Sequence, residues 1–213
     1  MQQIAEKILL GLPATIGLTV LALLIGIIMG IPLMLARTAR QGWLRFLAAA
    51  VITFVRSIPP IVWLFVLFFG LGSGYIRIQP FPAAAIGMGM IASAYMAEIY
   101  RGALLSIHQG QWEGAAALGL TRGRMWTDIL LPQLFRVALP AMATYAIGLL
   151  KDSAIASTIG VGEMTFHANQ QAMSSYRGLE VFSFVALIYI LLSLPIAWLS
   201  RVVDARLQKK VSR

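Results

Sequence analysis

The stretch EGAAALGLTRGRMWTDILLP, residues 113–132, decides how the rest of the chain is read. It is polar enough to lie in water, yet long apolar runs precede and follow it. The Ala-rich residues 112–118 predict a short helix, and Gly119 can take the left-handed conformation that ends one. Thr121 can then cap a second helix that runs to Pro132. Glu113, near the start of the first helix, suits the positive end of its dipole. Helix, sharp turn and second helix make a stiff block, and its small alanine side chains let a partner surface come close.

Outward from this block the chain is too apolar for a water-soluble domain. Of its 213 residues 59% are apolar and only 12% are charged, about half the charge of a typical soluble domain. No ionisable residue stands between Lys7 and Arg37, and similar runs recur, each roughly the 20 residues that cross a bilayer's hydrocarbon core. The chain is therefore read as an all-α integral membrane protein, surrounded by membrane lipid. The first run is too long for a secretory signal and has only Lys7 against Glu6 ahead of it, so it is expected to be retained as a helix. Cysteine is absent, which excludes disulfides, thiolate zinc sites and a thiol nucleophile.

Five crossings are expected. The first covers residues 13–36, with Gly26 and Gly30 on one face for close helix contact. The second covers residues 46–69 and should bend where Pro59 and Pro60 remove backbone donors. A glycine-rich loop, GLGSGY at residues 70–75, follows. The third covers residues 82–107, with Ala85, Gly89, Ser93 and Ala97 forming a flat stripe at i, i+4 spacing and Gly110 as a helix stop. The fourth covers residues 134–150, but its uncharged part from Val137 is only about 14 residues, short for a full crossing. It must tilt, or carry Lys151 and Asp152 into the membrane. Residues 153–179 read as a mixed connector and 181–200 as the fifth span.

The net charge of +9 points to topology rather than to a nucleic-acid partner, because basic residues collect in cytoplasmic loops. With the N-terminus outside and the C-terminus cytoplasmic, the inner segments hold Arg37, Arg40, Arg45, Arg101, Arg122, Arg124, Arg136 and the cluster Arg201, Arg206, Lys209, Lys210 and Arg213. Lys7, Arg77, Lys151 and Arg177 are left outside or near that face. Residues 113–132 are thereby placed in the cytoplasm.

Glu113, Ala115, Gly119, Ile129, Leu131 and Pro132 stand in register with a Glu-Ala-Ala, Gly, Ile-x-Leu-Pro pattern, Gly114 replacing the first Ala. The stretch resembles the coupling loop of ABC importer permeases, which docks into a cleft of a separate ATPase. VRSIPPIV (55–62), AYMAEIYRGALLSIHQGQWEGAA (94–116) and LLKDSAIASTIGVGEMT (149–165) resemble the polar amino acid permease branch, so that similarity spans about residues 13–205. Departures are Ser57-Ile58-Pro59-Pro60 where Gly-Thr-Pro-Leu is commoner, and Ser153-Ala154-Ile155-Ala156 in place of a Thr-Ser-Leu form. The resemblance implies a type I ABC importer permease with five transmembrane helices, a cytoplasmic helix-turn-helix coupling loop at 110–132 and a cytoplasmic tail at 206–213. It implies an amino acid substrate, a bacterial inner-membrane location and no enzyme activity. Its implied partners are a second permease, identical or homologous, two copies of an ABC ATPase and an extracytoplasmic solute-binding protein. ATP and Mg would be bound by the ATPase, with no cofactor in this chain. In keeping with that, Gly70-x-Gly72-x-Gly74 follows no strand and no GKS or GKT occurs, so the chain carries no nucleotide signature.

Arg56, Glu98, Lys151 and Asp152 are charges inside or bordering the spans, each costing at least about 2.5 kcal/mol unless it faces a partner or a wet cavity. They are the candidate substrate-binding residues, with Ser57 beside Arg56 and Ser153 and Met164 as further selectivity positions. Arg56 could meet an amino acid's carboxylate and Glu98 or Asp152 its ammonium. In the competing reading Arg56 and Glu98 clasp one another while Lys151 and Asp152 neutralise each other at the rim. An ion-coupled secondary transporter, with Glu98 or Asp152 as coupling carboxylate, and a membrane scaffold are the functional alternatives. His108 and His167 belong to opposite ends and cannot share a metal ion. Trp43, Trp63, Trp126 and Trp198 serve as interfacial anchors or packing.

Overall fold

A computed structural model of the chain describes residues 2–71 and 78–209. Residues 72–75 of the expected glycine loop, Arg77, Lys210 and Arg213 lie outside the described residues, as do the side chains of Arg206 and Lys209. Every regular element among the described residues is helical. Four helical runs are long and apolar enough to cross a membrane: Gln3–Arg37, Pro80–Leu105, Arg122–Ile159 and Gly178–Val202. Gly42–Ser57 and Pro60–Gly70 are long and apolar enough only when taken together, bent by 97°, and make a fifth crossing if they form one span.

The chain opens with α1 (Gln2–Leu9), a helix the span reading did not anticipate. Glu6 and Lys7 interrupt its apolar pattern, but Ile8 is fully buried against Met164, Ala168 and Val181. Helix α2 (Leu12–Arg37) then pairs with α5 (Pro80–Leu105) in the closest contact of the bundle. A Cβ added to Gly26 would stand 2.6 Å from Ala92 Cβ, and one on Gly89 2.7 Å from Ile25 Cγ2. In lipid, where helix faces gain nothing by leaving water, this close van der Waals approach is what holds two spans together. Ala85, Ser93 and Ala97 of the small-residue stripe are buried alongside.

Helix α3 (Gly42–Ser57) and α4 (Pro60–Phe65) meet at 97°. Ile58 precedes a proline and is forced to extended geometry, φ −98° and ψ 131°, while Pro60 suits the first turn of α4. Trp63 Nε1 donates to the Val55 carbonyl at 3.0 Å, satisfying an acceptor that the broken helix would leave open. Helix α4 continues through a π turn, Val66–Leu71.

The second half departs from expectation in three places. Gly110 does not stop a helix; α5 ends at Leu105, and Gly110 lies in the first turn of α6 (Gln109–Ala117). Pro132 does not end the second arm of the block, because α7 (Arg122–Arg124), a π turn (Met125–Leu130) and α8 (Leu131–Asp152) form one run. The widened turn directly precedes the proline, where a regular ladder would clash with its ring. The expected connector is also ordered: a 3₁₀ turn (Ser153–Ile159) continues α8, then α9 (Met164–Ser175) leads to α10 (Gly178–Lys209).

Candidate functional site

The block between α5 and α8 is built as a unit. His108 Nδ1 accepts the Gly110 N–H at 3.1 Å and caps α6. At the other end the Leu120 N–H donates to the Ala115 carbonyl at 3.2 Å and the Gly119 N–H to that of Ala116 at 3.0 Å, the paired bonds of a Schellman stop. Gly119 has φ 67°, the left-handed region that side chains disfavour. Thr121 Oγ1 then accepts the Arg124 N–H at 3.5 Å to open the second arm.

Two contacts tie the arms together. Trp112 and Trp126 meet edge to face at 5.8 Å, and Gln133 Nε2 donates to Gln111 Oε1 at 3.0 Å. Neither pair was singled out in the sequence, because each joins residues on different helices. Glu113, Gly114, Gly119 and Pro132 are exposed, and Leu118 beside them is 78% exposed. Ala115 is 2% exposed and Ile129 and Leu131 are half-buried. These three face the inside of the block. Glu113 also differs from expectation: α6 starts at Gln109, which puts the glutamate beyond the first turn, where it accepts from Gln109 Nε2 at 2.9 Å.

The intramembrane charges divide between two places. Glu98 is held by Arg101 at 2.7 Å and by Arg37 of α2 at 3.6 Å. The clasp with Arg56, the competing reading, is not among the ion pairs of the described residues. Arg56 instead lies over the Tyr95 ring, 4.6 Å from its centroid. Tyr95 stacks on Tyr145 at 5.0 Å and 25°, so a cation and two aromatic faces join α3, α5 and α8. Asp152 stands seven residues beyond Tyr145 on α8, which returns it to the same helix face. Arg56 and Ser57 border a cavity of about 260 Å³ with Tyr95 and Ile91. The Ser57 hydroxyl donates to the Thr53 carbonyl at 2.7 Å, leaving its lone pairs open.

Lys151 and Asp152 are both exposed, and no ion pair joins them among the described residues. Lys151 borders a separate groove of about 590 Å³ between α8 and α10. Ser153 and Met164 are 0% exposed. The tyrosines are the residues that sequence reasoning missed. Tyr95 lies within a motif already noted, yet nothing in the sequence pairs it with Tyr145. No cluster of metal-ligating side chains occurs among the described residues.

Comparison with known proteins gives these features a family. Residues 7–209 match the family of binding-protein-dependent transport system inner membrane components. The chain belongs to this family. Its members are membrane permease subunits of ABC importers rather than enzymes, and hydrolysis of ATP resides in a separate subunit. Among relatives of this permease, the L-cystine transport system permease protein of Bacillus subtilis (strain 168) is 31% identical over 204 residues, 95% of this chain and 87% of the relative. The glutamine transport system permease protein of Escherichia coli (strain K12) is 33% identical over 201 residues, 93% and 91% of the two chains. A crystal structure of an amino acid ABC transporter with histidines matches with a TM-score of 0.89 at 30% identity, covering 97% of this chain and 96% of the other. The permease fold is therefore the type I importer fold. Family membership favours ATP-driven import over the ion-coupled and scaffold alternatives.

Proposed function

We propose that the chain is one permease half of an ATP-driven amino acid importer. The observation that carries the substrate class is full-length similarity, at 31% and 33% identity, to permeases named for cystine and glutamine transport. A second permease, identical or homologous, completes the solute path, and two ATPase copies, which bind ATP and Mg, take the two coupling blocks. A solute-binding protein delivers the amino acid from outside. Basic side chains near the block, from Arg37 and Arg40 through Arg122 and Arg124 to Arg201, favour a cytoplasmic block and an external N-terminus in the inner membrane.

The Schellman stop and the Trp112–Trp126 and Gln111–Gln133 contacts support a block that moves without deforming. Closure of the ATPases on ATP would displace it and, through α5 and α8, rock the spans between inward-facing and outward-facing states. Along the path Arg56 meets the solute carboxylate as a bidentate donor. Tyr95 and Tyr145 offer faces to the ammonium, and Asp152 its counter-charge. Glu98, engaged by two arginines, is a tie between α2 and α5 rather than a solute contact.

Reconstitution with the ATPase and binding protein in proteoliposomes tests this reading. Labelled amino acid should accumulate only with internal ATP. In Glu113→Lys and Gly119→Arg, uptake should fall at least about tenfold relative to ATP hydrolysis, the loss of roughly 1.4 kcal/mol of coupling. ATP-independent uptake, or normal uptake in both variants, would overturn it.

A further inference from the structure

At the end of the bundle away from the coupling block stands a carboxyl group that neither the block nor the aromatic column uses. Glu163 is completely buried, a position tolerable only where hydrogen bonds replace lost hydration. Its bonds reach three elements. Oε1 accepts the Phe166 N–H at 2.7 Å and caps α9. Oε2 accepts the Tyr189 hydroxyl of α10 at 3.2 Å, and the Thr15 hydroxyl of α2, whose one proton is shared with the Gly11 carbonyl at 3.2 Å, stands 3.5 Å away. Thr15 also accepts the Met164 N–H at 3.2 Å, so α2 and the first turn of α9 are joined twice.

Backbone contact closes the joint. A Cβ on Gly11 would run into the Glu163 carbonyl carbon, so the corner between α1 and α2 packs directly on the segment ahead of α9. That segment leads back through buried Val161, Ile159, Ala156 and Ser153 to Asp152 and Lys151. Tyr189 also faces the groove that Lys151 borders. Helix capping alone would need only an exposed side chain; this one is buried at the meeting point of three helices.

We infer that Glu163 is a positioning residue that locks α2, α9 and α10 into one body and thereby sets where the Lys151–Asp152 end of α8 stands against the solute path. It touches no solute. The inference rests on the proposed amino acid path for its transport consequence, but the locking itself can be measured without any solute.

The test uses the assembled importer in proteoliposomes with Glu163→Gln, Glu163→Ala, Tyr189→Phe and Thr15→Val. Because the chain lacks cysteine, spin labels can be placed at Leu10→Cys and Ser174→Cys, both exposed positions. The unsubstituted labelled protein should give one narrow distance distribution, and each of the four variants should broaden it. Uptake KM should rise about tenfold in Glu163→Ala, as expected for loss of buried hydrogen bonds, with the maximal ATPase rate unchanged. Tyr189→Phe and Thr15→Val carry the test should Glu163→Ala not fold. Unchanged distances in all variants would overturn the inference. So would uptake that falls only in proportion to inserted protein at constant KM. An unsubstituted importer that accumulates no amino acid, while its label distances still respond to Tyr189→Phe, would sink the substrate reading and support the lock.

Discussion

Arg56 rests on an aromatic face and not on a carboxylate, and this choice of partner sets what a solute can do to it. A cation over a tyrosine is worth about 0.5–2 kcal/mol, whereas a forked bond to a carboxylate is stronger and geometrically specific. In the proposed path an amino acid carboxylate would draw Arg56 off Tyr95 and expose the ring to the solute's own cation. Arg56→Ala should raise uptake KM at least about tenfold, with Arg56→Lys in between because lysine lacks the fork. Co-purification with the ATPase should stay unchanged in both; equal loss of uptake and docking would mark Arg56 as structural. Glu163 gives a second prediction at this scale. Burial pushes its carboxyl up, while hydrogen bonds from the Thr165 and Phe166 backbone, the Tyr189 hydroxyl and the Thr165 side chain pull the other way. A raised native value means that the folded protein holds the proton more tightly than the unfolded chain. Its contribution is fully present below the ordinary value of 4.5 and is lost as pH rises through the native one. The melting temperature of the wild type in detergent, minus that of Glu163→Gln, should therefore decrease as pH rises across this window. A difference independent of pH would contradict the assignment.

Helices in this bundle were legible where local chemistry decides them. The proline pair at Pro59 and Pro60 announced a break, and the small residues Gly26, Gly89 and Ser93 announced the tight face of α2 and α5. Thr121 and Gly119 announced the corner of the coupling block. What stayed hidden depends on which helices touch. Nothing in the local pattern reveals that Ile8 of the charged segment α1 is buried by α9 and α10, or that Tyr95 meets Tyr145. Helix α9 was read as connector because its polar MTFHANQQAMSS has no apolar run to declare it. The α2–α5 contact yields the prediction at this scale. Gly26→Leu drives a side chain into Ala92, whose Cβ and backbone carbon lie 2.6 and 3.0 Å from the new Cβ. Overpacking of this kind costs about 1–3 kcal/mol, so the monodisperse fraction recovered in detergent should fall markedly. Gly42→Leu, which meets nothing within 4 Å, should leave it unchanged; equal yields would show that the contact is not what holds the two spans.

As a whole, the molecule joins the exposed block to the bundle through two helices, α5 leading into the block and α8 leading out of it. Hydrolysis resides in a separate subunit, and in the proposed mechanism its stroke reaches the chain through that short exposed surface. In that mechanism stiffness is the relevant property: a block that flexed would dissipate the ATPase stroke before it reached Tyr95 and Tyr145. Leu118, 78% exposed at the corner, is the apolar side chain best placed to enter a partner's cleft. The most direct measurement is photo-crosslinking from a benzophenone amino acid at position 118 in membranes holding the full importer. The account predicts one dominant adduct, at the summed mass of permease and ATPase, that does not form when the ATPase is omitted. An adduct with the external binding protein, or reaction of Leu118→Cys with a membrane-impermeant thiol reagent added from outside, would contradict it.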